Sequence, residues 1–426
     1  MMRLSNKVAV AAGAVVLAAC STSRYLDVTS PNSVPVGIFD QPTSATLMVN
    51  SAIGDFECAI GAAVVVEGII SDDLADSQLG AAQWPYDRRD ANTQTNGIYG
   101  TSGCTSNQGP GIYTPLSTAR FSNENAINKL TAWSDAQVPN RTALLAQASL
   151  YDGFAYGMLG MSMCQAAFDL GPAVDQKGMF ALAEKRFTDA ITFGTTAGLT
   201  NVVTAAYVGR ARMRLYQGNS AGAIADAQLV PKGFVYNSNT DAADNRRYNR
   251  VFAVTQQTGN YTVEPVSLNL LTENGEADPR SAVVVTAVRP ADSKSVISVP
   301  KKFSAATTAA GDAIPLPLAR YEEAQLILAE AQGGASAVTI INAMRATVSL
   351  KPYTGGTDAA SIKNLVIDER RRVLFAEGFR NYDIERFSLT LVPAIGTTYP
   401  RVGGTYGNTT CLPLPDVERF NNPSIT

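Results

Sequence analysis

Apolar residues that recur at helical spacing constrain the fold of this chain more than any other feature. Three long segments have a 3.6-residue apolar period: Leu116 to Trp133, Arg141 to Phe168 and Gly178 to Phe193. A further segment, Asn201 to Asp226, carries small residues where two helices would touch, and Gly218-Asn219 supplies a turn between them. This segment is typical of a tetratricopeptide hairpin of about 34 residues, and the alternative is a generic helical hairpin. Because each hairpin leaves an apolar face for its neighbour to cover, we expect a stacked helical scaffold.

The helical pattern is interrupted between Lys232 and Pro317. There, Thr262 to Leu270 and Ser281 to Val288 are rich in β-branched residues, which predicts short strands in an irregular insert. Helical spacing resumes over 319–348 and 359–387. We therefore expect a mainly α fold with a discontinuous, tetratricopeptide-like scaffold in a single domain over 41–426. The scaffold is placed mainly at 41–83, 116–230 and 319–390, and the insert at 232–317.

The segment 84–115 has a different composition. It is rich in Gly, Asn, Thr, Ser and Gln, and four aromatic residues are scattered through it: Trp84, Tyr86, Tyr99 and Tyr113. This composition predicts a long surface loop. Long ordered loops often carry function.

Residues 1–19 have the build of a bacterial export signal. Arg3 and Lys7 supply a positive end, and Val8 to Leu17 is an apolar run of roughly ten residues, too short for the about 20 that span a bilayer. The stretch Leu17-Ala18-Ala19-Cys20 resembles the lipobox of bacterial lipoproteins, in which the cysteine is lipidated. We therefore expect a lipid anchor on Cys20, followed by a tether over 20–40. The alternative is an ordinary secretory signal cut after Ala18 or Ala19.

The chain contains no histidine among its 426 residues. This absence removes the commonest general base, the commonest metal ligand and every Ser-His or Cys-His nucleophile pair. We therefore expect no metal and no cofactor. A net charge of -3 with 17% charged residues offers no basic stripe, so no nucleic-acid partner is expected.

Four cysteines remain if Cys20 is lipidated: Cys58, Cys104, Cys164 and Cys411. An even count in an exported chain favours two disulfides, for which three connectivities are possible. We favour Cys58–Cys104 and Cys164–Cys411, because the first two flank one continuous N-terminal region. Metal binding is the weaker interpretation, since the spacings are wide and no Cys-x-x-Cys occurs.

Three segments, in this order, closely resemble the C-terminal half of the SusD/RagB family of outer-membrane nutrient-binding lipoproteins. They are Arg320 to Ala331, Ala337 to Ala346 and Ile367 to Phe387, of which the last is the most specific. Smaller blocks fit as well: Tyr25-Leu26-Asp27, Asp278-Pro279-Arg280, Lys301-Lys302-Phe303 and Cys411-Leu412-Pro413-Leu414-Pro415.

The resemblance implies a tetratricopeptide-type scaffold that carries an irregular, ligand-binding half. It also implies a lipid-anchored protein on the cell-surface side of the outer membrane, over a SusC-like TonB-dependent transporter. Such proteins hold a glycan or peptide for import and do not cleave it, so no enzymatic activity is expected. Two alternatives are a lipid-anchored scaffold for envelope assembly and, ranked last, a glycosidase with two carboxylates across a cleft.

A glycan platform needs flat aromatic faces with polar groups beside them. Trp84 is the leading candidate because its neighbours are loop-like, and Tyr86 lies beside it. Tyr99 and Tyr113 are weaker candidates, for each of which a packed or exposed loop tyrosine is the favoured interpretation. We expect Trp133, which lies at a helix end, to pack in the core.

Two charged clusters have both a functional and a structural interpretation. Asp72, Asp73 and Asp76 could bind calcium, but they lack the twelve-residue ligand ladder, so a solvated or helix-capping role is favoured. The run Arg370 to Arg372 could bind phosphate. It lies beside Asp368 and Glu369 at helical spacing, which favours structural ion pairs.

Overall fold

The computed structural model describes residues 36–78, 84–91, 98–106, 109–400, 403–420 and 422–425. The expected signal at 1–19, Cys20 and most of the tether lie outside the described residues. The mainly helical scaffold with short strands is confirmed.

Ten helices of eight or more residues are the largest elements of the described chain. The first six lie before the insert and the other four after it. They are α1 (Ala45–Ile70), α2 (Tyr113–Ala132), α3 (Arg141–Ser162), α4 (Gln176–Ala197), α5 (Thr200–Tyr216), α6 (Ser220–Ala227), α7 (Tyr321–Gln332), α8 (Gly334–Ala346), α9 (Ala359–Val373) and α10 (Arg380–Phe387).

Short helical turns fill the connections between these helices. They are Val36–Asp40, Pro42–Ser44, Trp84–Asp87, Ile98–Thr101, Asn245–Arg247, Arg250–Phe252, Ala253–Gln257, Pro265–Ser267, Pro279–Ser281, Lys301–Phe303, Thr308–Asp312 and Asp416–Arg419.

The strands form antiparallel pairs of two, with no larger sheet among the described residues. β1 (Leu74–Asp76) pairs with β5 (Tyr261–Val263), β2 (Gln165–Ala167) with β3 (Ala173–Asp175), β4 (Val235–Asn237) with β8 (Pro317–Arg320), and β6 (Val283–Val285) with β7 (Ser298–Pro300).

Close helix packing in the scaffold depends on glycine facing an aromatic ring. Phe187 of α4 is 1% exposed and lies between Gly153 of α3 and Gly209 of α5. A Cβ atom built on Gly209 would lie 2.4 Å from the Phe187 ring, and one on Gly153 would lie 2.8 Å from it. The three helices can therefore approach this closely only because two of the contact positions lack a side chain.

The predicted hairpin at 201–226 is α5 followed by α6. Gly218 turns the chain with a φ of 83°, a value that glycine adopts readily. The Asn219 side chain then accepts a hydrogen bond from the Gly222 N–H and caps α6.

The helix expected over 141–168 ends earlier, at Ser162. Cys164 forms a disulfide with Cys411, and the Cys164 N–H donates to Leu412 O at 2.8 Å. These contacts end the helix, because a backbone N–H that donates to a distant segment does not donate within the helix. The chain then continues into β2. The second disulfide joins Cys58 to Cys104, so both bonds are the pairs that the sequence analysis favoured.

The segment 84–115 is not a surface loop throughout. Its described parts contain the turns Trp84–Asp87 and Ile98–Thr101 and the first turn of α2. Tyr86, Tyr99 and Tyr113 are each 1% exposed. Burial of three large rings, together with the Cys58–Cys104 disulfide, holds these parts against the core.

No helix in the described ranges combines the length and the hydropathy that crossing a bilayer requires.

Candidate functional site

The turn Trp84–Asp87 carries the leading candidate residue and is fixed by buried contacts on its C-terminal side. Arg89 is 1% exposed, and its Nη1 donates to Val392 O at 2.9 Å while its Nη2 donates to Pro393 O. The Arg89 guanidinium also lies 5.0 Å from the ring centroid of Tyr406. The backbone that follows Trp84 is therefore fixed against a loop near the C-terminus.

A second layer of contacts joins the same two segments. The Tyr399 hydroxyl donates to Asp87 Oδ2 at 2.7 Å, and Arg88 lies 5.8 Å from the Tyr399 ring centroid. Arg88 also forms an ion pair with Asp90 at 2.6 Å, and these two side chains are 23% and 39% exposed. Arg88 and Asp90 thus place a donor and an acceptor at the surface near Trp84.

The insert contacts Ser77, which lies between β1 and the turn Trp84–Asp87. The Ser77 hydroxyl donates to Gly259 O at 2.9 Å, and Ser77 O accepts from the Asp292 N–H at 2.8 Å. The Thr262 hydroxyl donates to Val296 O at 2.9 Å. The Val296 side chain itself is 64% exposed. We call the surface formed by 84–91, 392–400 and 403–407 the loop face.

The acidic cluster beneath the loop face is buried and paired, so the solvated or capping role expected for it is wrong. Asp72 is 1% exposed and contacts Arg380 at 2.6 Å and Arg371 at 2.9 Å. Burial alone would raise the pKa of Asp72, but the hydrogen bond and charge of Arg380, then the charge of Arg371, outweigh it and lower the pKa.

The next residue behaves in the opposite way. Burial, and then the negative charge of Asp72, raise the pKa of Asp73 to about 6, and the Ala376 N–H donates to its Oδ2 at 3.0 Å. Across the described ranges, no group of three or more Cys, Asp or Glu side chains is placed to hold a metal ion.

The arginine run is structural, as favoured from the sequence. Arg370 contacts Asp383 at 2.8 Å, Arg371 contacts Asp72 at 2.9 Å, and Arg372 contacts Glu369 at 2.7 Å. Only the last of these pairs lies on one helix, so the run mainly joins α9 to other elements.

The three candidate tyrosines offer no face to a ligand in this structure. Tyr86, Tyr99 and Tyr113 belong to the main apolar core, and the Tyr113 hydroxyl donates to Ala167 O at 3.2 Å. A ring that is 1% exposed cannot stack on a sugar. Trp84 begins its turn, but its side chain lies outside the described part of the chain, so it stays a prediction. Trp133 packs against a smaller core cluster, as expected.

The contacts that fix the segment around Trp84 are not evident from the sequence. The run Tyr86-Asp87-Arg88-Arg89-Asp90 is an unusual mixture of aromatic and charged residues, which is the one local signal available. Its partners Tyr399 and Val392 lie more than 300 residues away, and spacing within one segment cannot identify them.

Comparison with known proteins gives a consistent result. The SusD family model matches residues 232–412. The fold is similar to that of surface glycan-binding protein A from Bacteroides thetaiotaomicron, solved in complex with laminarihexaose, with a TM-score of 0.66 and 15% identity over 90% of this chain and 98% of that one. It is also similar to a laminarin binding SusD-like protein, with a TM-score of 0.64 and 16% identity over 90% of this chain and 98% of that one.

A SusD-like carbohydrate binding protein from Bacteroides vulgatus ATCC 8482 has a TM-score of 0.65 and 16% identity over 90% of this chain and 97% of that one. No curated protein matches the sequence. At these identities the solved structures establish the fold, and the family model identifies the half that contains the insert, α7 to α10 and the C-terminal loop. Residues 232–412 therefore match the SusD family model, and the chain has the fold of SusD-like proteins over nine-tenths of its length.

Proposed function

We propose that this protein captures a glycan without cleaving it and passes it to a SusC-like TonB-dependent transporter. The observation that carries the proposal is the SusD fold over nine-tenths of the chain, shared with proteins described as binding laminarin and laminarihexaose. A peptide ligand is the alternative that the binding assay below would reveal.

The loop face is the proposed site of capture. Its frame is rigid, since Arg89, Tyr399 and Asp87 are buried and hydrogen-bonded, while Arg88 and Asp90 remain at the surface. A stacking residue at position 84 beside a surface donor and acceptor is the combination that sugar rings require.

The proposed location is the outer membrane, with a lipid on Cys20 and the domain facing outward. Labelled palmitate should enter the wild-type protein in cells and should not enter Cys20→Ala. If both proteins are labelled equally, Cys20 is not the anchor.

The binding proposal is tested by affinity electrophoresis over a panel of β-glucans, other polysaccharides and peptides. We expect retardation by a glycan, and loss of that retardation in Trp84→Ala. Phe121→Ala is the matched control, since Phe121 is a 55% exposed aromatic residue on α2, away from the loop face. Equal loss in both variants, or no retardation by any glycan, would contradict the proposal.

The alternative of a helical scaffold for envelope assembly makes a different prediction. Such a scaffold would retain its partners in Trp84→Ala and would bind no glycan. Co-purification with a TonB-dependent transporter from cells grown on the captured glycan supports the transport function over this alternative.

A further inference from the structure

The outer edge of strand β6 carries backbone groups that point away from its partner, β7. The Thr286 N–H, just after β6, donates to Ile297 O at 2.9 Å and continues the ladder between the two strands. In an antiparallel ladder, alternate residues direct both their N–H and their carbonyl toward the partner strand. Because Thr286 and Val284 face β7, Val283 and Val285 direct their backbone groups outward.

These outward groups are unpaired and reach the surface. Within the described chain, neither the N–H nor the carbonyl of Val283 or Val285 has a hydrogen-bond partner. Val285 is 69% exposed, so solvent reaches this edge. The other edge of the pair is closed, since the Ser298 N–H of β7 donates to the Thr262 hydroxyl at 2.9 Å. A further strand can therefore add to β6 and not to β7.

The sequence of this edge lacks the features that usually prevent strand pairing. Residues 281–288 contain no charge and no proline, and β6 itself is three consecutive valines. Strand β4 provides the contrast, because its ladder is irregular between Tyr236 and Asn237, and Asn237 is polar and exposed. The β6 edge is thus a regular template for pairing, whereas the β4 edge is interrupted.

The outward groups of β6 are complementary to those of a second copy of the same strand. With a two-fold axis at Val284, Val283 of one copy lies opposite Val285 of the other, and the reverse. Each of these facing pairs can exchange two N–H to carbonyl bonds, which gives about four hydrogen bonds between the copies. Val284 then faces its own copy at a position where side chains approach closely, and β-branched pairs are favourable there.

Charge does not oppose this arrangement. Residues 281–288 are uncharged, so no like charges face each other along the ladder. Arg280, which precedes this segment, is already paired with Asp278 at 2.5 Å and with Glu369 at 2.6 Å. Two copies can therefore meet at this edge without bringing an unpaired Arg280 into the interface.

The size of the edge indicates how strong the association would be. Interfaces carry about one hydrogen bond per 100–200 Å², so about four bonds correspond to roughly 400–800 Å² of buried surface. Stable complexes bury about 1,200–2,000 Å². The pairing should therefore be reversible and should require concentrated protein.

We propose that β6 is a self-association edge, at which two copies of this chain pair antiparallel to form one sheet of order β7-β6-β6-β7. This edge is separate from the loop face, so self-association and glycan capture are independent properties of the chain.

Sedimentation velocity over protein concentrations of about 1–500 µM tests the proposal. Every sample carries Cys20→Ala, so that no acyl chain contributes to association. Protein with the native edge should shift from monomer to dimer, and Val285→Lys should raise the dissociation constant at least tenfold because a charge at a strand edge blocks pairing. Val285→Pro should do the same, since it removes an outward N–H and leaves the bonds to β7 in place.

Leu229→Lys is the matched control for Val285→Lys. Leu229 is 55% exposed and follows α6, so the same change of an exposed apolar residue leaves the β6 edge intact. This variant should dimerise as the native edge does. Hydrogen exchange gives a second measurement: the amides of Val283 and Val285 should become protected in the dimer, whereas that of Val284, which faces β7, should change little.

A protein that stays monomeric up to about 500 µM, or equal dimerisation of Val285→Lys and Leu229→Lys, would overturn the proposal. An extended peptide that protects the Val283 and Val285 amides while the protein stays monomeric would also overturn it, because the edge would then serve a different partner. Trp84→Ala should dimerise normally while losing the captured glycan, so each proposal can fail without the other.

Discussion

The scaffold over α3 to α6 and the half matched by the family model differ in their closest contacts, although buried ion pairs occur in both, as between Asp152 and Arg186 of the scaffold. In the scaffold, small residues let helices approach aromatic rings, as Gly153 and Gly209 do around Phe187. In the other half, buried carboxylates are surrounded by guanidinium groups, as Glu369 is by Arg280, Arg345 and Arg372. The glycine contacts join helices that follow one another in the chain, whereas the pairs of Glu369 include Arg280, which is 89 residues away.

The largest expected effect is the loss of the carboxylate at the centre of the ionic half. Glu369→Gln leaves the three guanidinium groups around a fully buried position without their shared anion, so the free energy of unfolding should fall by about 3–5 kcal/mol. Urea denaturation measures this change. Asp189→Asn is the control, because Asp189 pairs with Lys185 on the surface of α4 and should contribute at most about 0.5 kcal/mol. Comparable losses in both variants would remove the distinction between the two regions.

Removal of the disulfide that joins the two regions should have the next largest effect on stability. Cys164 and Cys411 are 247 residues apart, against 46 for Cys58 and Cys104. Replacing the first pair by alanine should lower the free energy of unfolding by about 2–4 kcal/mol, and by about 1.5 kcal/mol more than replacing the second, because opening a longer loop releases more chain entropy on unfolding. Thermal melts of the two double variants test the order, and a reversed order would contradict it.

The scaffold should be sensitive to a single methyl group. Gly209→Ala forces a Cβ into the Phe187 ring, which Gly153 contacts from the other side, and should cost about 1–3 kcal/mol of stability. The same substitution at Gly54 of α1 meets only the end of Arg247, at 3.6 Å, and should be neutral or stabilising by up to about 1 kcal/mol. Urea denaturation of both variants provides the comparison. A stabilised Gly209→Ala would show that α3, α4 and α5 are not closely packed.

An effect that depends on pH is expected where the two regions meet. Glu67 of α1 is fully buried between Ser162 of α3 and Asn381 of α10, and burial raises its pKa to about 8, which these polar neighbours offset only in part. The unfolded chain ionises this group near 4.5, so its contribution to the free energy of unfolding should fall as pH rises from about 4.5 to about 8 and then stay level.

Glu67→Gln keeps the shape of the side chain and cannot ionise. Its stability relative to the wild type should therefore rise steadily between pH 5 and pH 8, as followed by melting temperature. Asp55→Asn is a control with a carboxylate near the surface of the same helix. A constant difference between the Glu67 variant and the wild type across this range would mean that the carboxyl is ionised in the fold.

The two regions also differ in how far the sequence predicts them. The helices over 113–227 follow from apolar spacing, and the turn at Gly218-Asn219 follows from residue type. The resemblance at 367–387 located the ionic half but not its pairs. Asp72 was expected in solvent because three acidic residues close together are usually solvated, yet its partner Arg371 is 299 residues away.

The candidate site shows the same limit. The sequence predicts a loop around Tyr86, Tyr99 and Tyr113 because Gly, Asn and Ser surround them. In the structure, the core buries all three side chains. The contacts of Tyr399 with Asp87 and of Tyr406 with Arg89 depend on a C-terminal segment that no local pattern connects to these positions.

The start of the described chain has a mechanical consequence. Lys129, near the end of α2, donates to Phe39 O at 3.3 Å and pairs with Asp40, so the chain enters the domain at that end. The 26 residues of α1 then run away from it for about 39 Å, and α2 returns antiparallel over about 30 Å. These two helices act as a strut that separates the point where the described chain enters the domain from the C-terminal end of α1 by roughly a bilayer's thickness.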